Sequence, residues 1–157
     1  MDPRLAGVAR AIATAGVVVA VDQASKQAVV SSLGRGERVN VFFGLDFTNT
    51  RNTGVAFGAL QGGGLLVAVL IGLALALVIG YFGRNADRAW LWLPVGLLVG
   101  GALGNLADRA RDGAVIDFID PVAWPAFNLA DASIVVGVLA LLYLLEGGRG
   151  EDRAQGR

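Results

Sequence analysis

The 157-residue chain is 55% hydrophobic and only 17% charged, its mean hydropathy is +0.61, and its 13 basic and 13 acidic residues cancel. A soluble domain of this length needs more polar surface, so an integral membrane protein is expected, and the zero net charge offers nothing to nucleic acid. With no Cys and no His, disulfides, Cys–His nucleophiles, Ser–His–Asp triads and ordinary zinc sites are excluded together, which leaves carboxylates, hydroxyls, arginines and the single lysine, Lys26.

Four segments approach the roughly 20 apolar residues that a bilayer span requires. The first, residues 5–21, is interrupted only by Arg10. It has a basic start but no small-x-small cleavage site ahead of a soluble remainder, so it reads as a retained span rather than a leader. Residues 34–59 follow, and "ERVNVFFGLDFTNTRNTGVAFG" mixes β-branched and aromatic residues with Asn, Thr and Gly in partial alternation. Short strands joined by turns are expected there, a small β-rich cradle between helices 1 and 2.

The second span, residues 64–82, has no charge, and the tight hairpin "GRNADR" joins it to the third, residues 89–107. In the third, Gly96, Gly100 and Gly104 fall four apart on one helix face, a spacing that lets membrane helices approach closely. The fourth, residues 127–145, is polar at its start and apolar after Asp131. Residues 147–157, "GGRGEDRAQGR", are polar and Gly-rich and are expected to be a flexible tail. The expectation is thus a mainly α integral membrane protein: one four-span domain over residues 1–146, followed by that tail.

Four spans put both termini and the hairpin on one side of the membrane. That side carries seven basic residues, Arg4, Arg10, Arg84, Arg88, Arg149, Arg153 and Arg157; the other carries six, Lys26, Arg35, Arg38, Arg51, Arg109 and Arg111. The positive-inside rule barely separates the two orientations. Asp22, Lys26, Asp117, Asp131 and the cradle nonetheless gather at one membrane face.

Ionisable residues at a membrane boundary are costly and mark function. Two carboxylates a few ångström apart cannot both ionise easily, so Asp117 and Asp131 could share one proton and act as acid and base on a peptide bond. The spacing alone leaves a blander possibility open: Asp131 as an acidic residue in the first turn of a helix, with Asp117 and Asp120 in a surface loop. Asn52, Asn105 and Asn128, together with Arg109, also lie at membrane boundaries. Asparagine can donate to a substrate carbonyl and accept from a peptide N–H, or can simply cap helices.

The blocks "VDQASK", "NTRNTGVAFG", "GGALGNLADR", "VIDFID" and "FNLADASI" resemble, in order, those of the lipoprotein signal peptidase (signal peptidase II) family. By itself "RNTG" is weak, but the ordered set, above all "GNLADR", "VIDF" and "FNLAD", is highly specific. The resemblance implies an aspartic endopeptidase of the bacterial cytoplasmic membrane that removes signal peptides from diacylglyceryl-modified prolipoproteins, cutting just before the lipidated cysteine. It implies Asp117 and Asp131 as catalytic, Asn52, Asn105, Arg109 and Asn128 as substrate-binding, and Asp22, Lys26, Gly54, Gly101 and Gly104 as structural or positioning residues. It also implies a monomer without metal or cofactor, with lipidated prolipoprotein and membrane lipid as partners, cytoplasmic termini and an active site near the outer face.

Two rivals are weighed against this. A Ser/Lys peptidase would use Lys26 with Ser25, Ser31, Ser32 or Ser133, but a lysine base needs a depressed pKa, and pairing with Asp22 four residues away would act the other way. A small proton-coupled transporter or channel subunit would use Asp131 as carrier, yet predicts carboxylates near mid-membrane rather than at one end.

Overall fold

The computed structural model describes residues 1–53 and 64–155 of the chain. Among them the elements run α1 (Pro3–Ser32), β1 (Arg38–Phe42), β2 (Leu45–Asn52), α2 (Gly64–Arg84), α3 (Trp92–Asp112), β3 (Val115–Pro121) and α4 (Leu129–Gln155). The mainly α expectation holds with a small antiparallel sheet beside it, although three boundaries differ from the sequence reading.

Helix α1 begins where the Asp2 side chain accepts the Arg4 N–H at 2.9 Å, with Pro3 just inside the start. It does not stop with its apolar run at Val21. The Gln, Ala and Lys residues that follow are good helix formers, so the helix continues to Ser32 before the backbone turns extended at Leu33. At about 1.5 Å per residue it is roughly 45 Å long, more than a hydrocarbon core needs. The extra turns carry Asp22 and Lys26 beyond the apolar part on one buried face.

Helix α3 lies between α1 and α4, while α2 packs against α3 less extensively. Glycine makes this possible. A Cβ at Gly96 would sit 2.5 Å from Thr14 Cβ and one at Gly100 2.7 Å from Val18 Cβ, both on α1. A Cβ at Gly101 would meet the Ala130 carbonyl oxygen on α4 at 2.5 Å. The glycine spacing read from the sequence therefore does bring helix backbones together. Ala11, Phe82, Ala86, Leu91 and Val95 form an apolar core where the α2–α3 hairpin meets α1.

Among the described residues, two helical segments, Pro3–Ser32 and Leu129–Glu146, are long and apolar enough to cross a membrane. Helix α3 runs past its apolar portion to Asp112, so Asp108 and Arg109 are helical as Asn105 is. Gly113 ends it in the left-handed region, φ 70°, and returns its N–H to the Arg109 carbonyl at 3.0 Å. Helix α4 runs on past its apolar part to Gln155.

The sheet was expected wholly within residues 34–59, of which 54–59 lie outside the described residues. Its third strand in fact comes from "VIDFID", after α3. The order is β1-β2-β3, all antiparallel, with Gly44 at φ 80° in the β1–β2 turn. Asn52 stands opposite Val115 and Thr50 opposite Asp117. An irregularity between Phe47 and Thr50 shifts this register, and Phe47 meets Phe118 edge-on at 6.2 Å. β3 starts with four buried residues, Val115 to Phe118, because it runs directly over the helix ends. This position puts Asp117 inside the protein.

Candidate active site

Asp117 is 2% exposed on β3, and Asp131 lies in the first turn of α4. Asn128 immediately precedes that helix. Its Oδ1 accepts the Asp131 N–H at 2.9 Å, and Asp131 Oδ2 accepts the Asn128 N–H at 3.3 Å, a reciprocal cap. The capping role that the sequence left open is therefore real, but it does not exclude the other one. The same Asn128 donates from Nδ2 to Asp117 Oδ1 at 2.7 Å. One asparagine thus joins both carboxylates.

Two further amides complete the set. Asn52 Nδ2 donates to Asp117 Oδ2 at 2.9 Å, and Asn105 Nδ2 donates to Asp131 Oδ1 at 2.7 Å. Each carboxylate oxygen therefore accepts one amide N–H and keeps a second lone pair for another donor. Burial pushes the Asp117 carboxyl above its ordinary value of 3.8. The like charge of Asp131 pushes the same way, and the bonds from Asn52 and Asn128 oppose it without reversing it. A buried acid inclined to keep its proton beside a second carboxylate can give a proton to one group while the pair takes one from another.

Behind these residues lies a fully buried charge cluster. Lys26, 1% exposed, donates to Asp22 Oδ2 and Asp108 Oδ2, both at 2.8 Å, and to Asn105 Oδ1 at 3.1 Å. Gly104 leaves room for Asp22, since a Cβ there would lie 2.6 Å from its Oδ2. Asp22 and Lys26 thus sit behind the asparagine–aspartate set, and Gly101 lies at the α3–α4 contact. Asp108 was missed by the sequence reading. A signal was present, an ionisable residue three positions after Asn105 at the end of an apolar helix.

Arg109 is not bonded to either aspartate. Half-buried, it reaches among the described residues the Asn105 carbonyl of its own helix, at 3.5 Å. Gly54 lies outside the described residues. Asp120 pairs with Arg38 at 3.0 Å, apart from the asparagine cluster. The Ser/Lys alternative finds no support: Lys26 donates to two carboxylates and an amide, whereas Ser25 and Ser133 donate to the backbone carbonyls of Asp22 and Ala130.

Comparison with known proteins extends this picture. A family model described as signal peptidase (SPase) II matches residues 14–146. The lipoprotein signal peptidase of Pelotomaculum thermopropionicum is 43% identical over 134 residues, covering 82% of this chain and 86% of that protein. The enzyme of the same name from Halothermothrix orenii is 37% identical over 130 residues, covering 82% and 90%. Two solved structures of a bacterial membrane enzyme, obtained by the in meso method, superpose with TM-scores of 0.78 and 0.81. They are 31% and 30% identical to this chain and cover 88% and 92% of it.

Proposed function

The chain belongs to the signal peptidase II family, and from that premise we propose that it removes signal peptides from lipidated prolipoproteins as an aspartic endopeptidase, with Asp117 and Asp131 as the catalytic pair. The observation that carries this reading is the shared asparagine: Asn128 bonds one carboxylate with its side chain and the other with its backbone. Nothing in a purely capping role requires the first of those bonds.

The chemistry follows from one proton held between two carboxyls. A water between them gives its proton to the ionised carboxylate as its oxygen bonds to the scissile carbonyl carbon. The protonated carboxyl, for which burial favours Asp117, donates to the carbonyl oxygen. Collapse of the tetrahedral intermediate breaks the C–N bond, the proton held by the first carboxyl leaves with the amine, and the second carboxylate takes back a hydroxyl proton as the acid product forms. Asn52, Asn105 and Asn128 hold the carboxylates in place and, lying beside them, offer substrate amides partners. Arg109, which bonds neither acid, serves the peptide.

The membrane arrangement belongs to the same reading. All four helices span the bilayer as one domain over residues 1–146, with cytoplasmic termini and the sheet at the outer face. The exposed apolar faces of α2 and α4, such as Leu73, Leu77, Leu139 and Leu142, meet lipid. A single copy carries the whole asparagine–aspartate set, so a monomer is sufficient. The edge of β1, unpaired on one side among the described residues, offers main-chain bonds to an extended substrate.

The test is a gel shift on diacylated prolipoprotein with Asp117→Asn and Asp131→Asn. Each should lower cleavage by about 10³-fold or more while the protein remains folded. Cleavage near the wild-type rate in either variant rules the mechanism out. Proton flux into liposomes that disappears in Asp131→Asn would favour a transporter instead.

A further inference from the structure

The cluster behind the site has a geometry that ordinary charge neutralisation does not require. Asp108 Oδ2 accepts the N–H of Ile116 at 3.2 Å, and Asp22 Oδ1 accepts the N–H of Ala130 at 3.0 Å. Ile116 immediately precedes Asp117, and Ala130 immediately precedes Asp131. Lys26 Nζ sits 2.8 Å from a carboxylate oxygen of each. A continuous path of short polar contacts therefore runs from β3 through Asp108, Lys26 and Asp22 to the start of α4. The third Lys26 proton goes to Asn105, whose amide holds Asp131.

We propose that Asp108 is a positioning residue. With Lys26 and Asp22 it forms a buried clamp that fixes the separation of the strand bearing Asp117 from the helix bearing Asp131. The proposal rests on the two-aspartate reading above and adds to it a residue with no contact to either catalytic carboxylate.

The physical reason is the strength of directional, water-free bonds. Asp22, Lys26 and Asp108 are each at most 1% exposed. An ammonium between two carboxylates in such a place has one favourable position, and both acids are held to it. Each acid then anchors a backbone N–H one residue from the chemistry. Glycine at position 104 admits Asp22 to this arrangement, and Gln23 Nε2 and Arg111 Nη2 bond the outer oxygen of Asp108 at 2.9 and 3.0 Å. A catalytic pair flanking one water tolerates little change in spacing, since misplacement by about 1 Å costs on the order of 10²-fold in rate.

The experiment compares kcat and KM on a diacylated prolipoprotein at matched amounts of folded, detergent-purified enzyme. Asp108→Asn removes one of the two charges that hold Lys26. Asp108→Glu keeps the charge but moves the carboxylate outward by one methylene. Both should lower kcat about 10- to 100-fold with KM within about twofold of wild type. Arg111→Gln, which removes an exposed partner of Gln23 and of the outer oxygen but none of the bonds to Lys26, Ile116 or Ala130, should leave kcat within about twofold. A wild-type kcat in both Asp108 variants overturns the clamp, as does a loss confined to KM. Failure of both to fold shows a purely structural residue and overturns it equally. If Asp117→Asn is inactive while the Asp108 variants are unaffected, the clamp alone is wrong; if Asp117→Asn still cleaves, the catalytic reading falls with it.

Discussion

At the sheet end of the helix bundle, Lys26, Asp22 and Asp108 meet at 2.8 Å with side chains at most 1% exposed. At the other end, beside the α2–α3 hairpin, Arg4 and Asp87 meet at 3.5 Å with side chains 58% and 54% exposed. Both contacts are salt bridges by distance, but they do different things. The exposed pair exchanges its partners with water, so little depends on it. The buried cluster has no water to fall back on, and every one of its protons and most of its lone pairs are committed to α1, α3, β3 or α4. Only the second kind of contact can hold a site in register.

The largest effect should come from Lys26→Met. It leaves Asp22 buried without a counter-charge and Asp108 with only the exposed Arg111, and breaking a buried pair costs about 3–5 kcal/mol. Thermal unfolding in detergent should show a large fall in midpoint, and a midpoint near wild type would place the cluster in contact with water. Gly100→Val comes next. It adds side-chain atoms where even a Cβ would lie 2.7 Å from Val18, so overpacking should cost about 1–3 kcal/mol by the same measurement.

Asn52→Ala tests the catalytic side of the cluster. It should lower kcat/KM by about 10-fold, the loss expected for one hydrogen bond to a charged group. The sign of its pH effect is also fixed. The Asn52 bond favours the ionised form of Asp117, so removing it raises that carboxyl further and should move the basic limb of the rate profile to higher pH. A shift to lower pH would mean that Asn52 does not bond the ionised acid. The smallest effect belongs to Arg4→Ala. It should change stability by less than about 1 kcal/mol, and a larger loss would erase the contrast between the two ends.

Much of the site was legible because polar residues in a greasy chain stand out. Asp117, Asp131, Asn52, Asn105 and Asn128 were each noticed at a boundary, and the structure joins all five. Arg109 was noticed by the same rule but bonds neither acid, since it leaves α3 on a half-buried face. Asp108 was overlooked because its partners, Lys26 and the Ile116 N–H, are 82 and 8 residues away in sequence. The third strand was overlooked for a related reason. "VIDFID" is short and buried on both faces at its start, so it shows none of the alternation that marks a half-exposed strand.

Composition and order alone determined that this is a membrane-type chain without thiol or imidazole chemistry, and the motif blocks determined its family. Those are properties of residue type, which transfer directly from the string of letters. Tertiary structure decided which acid faces which amide, that a strand from beyond α3 completes the sheet, and that one lysine ties the backbones on either side of the site together. Such facts depend on separations of a few ångström between residues far apart in the chain, and hydrogen bonding in a water-free interior is decided at that scale.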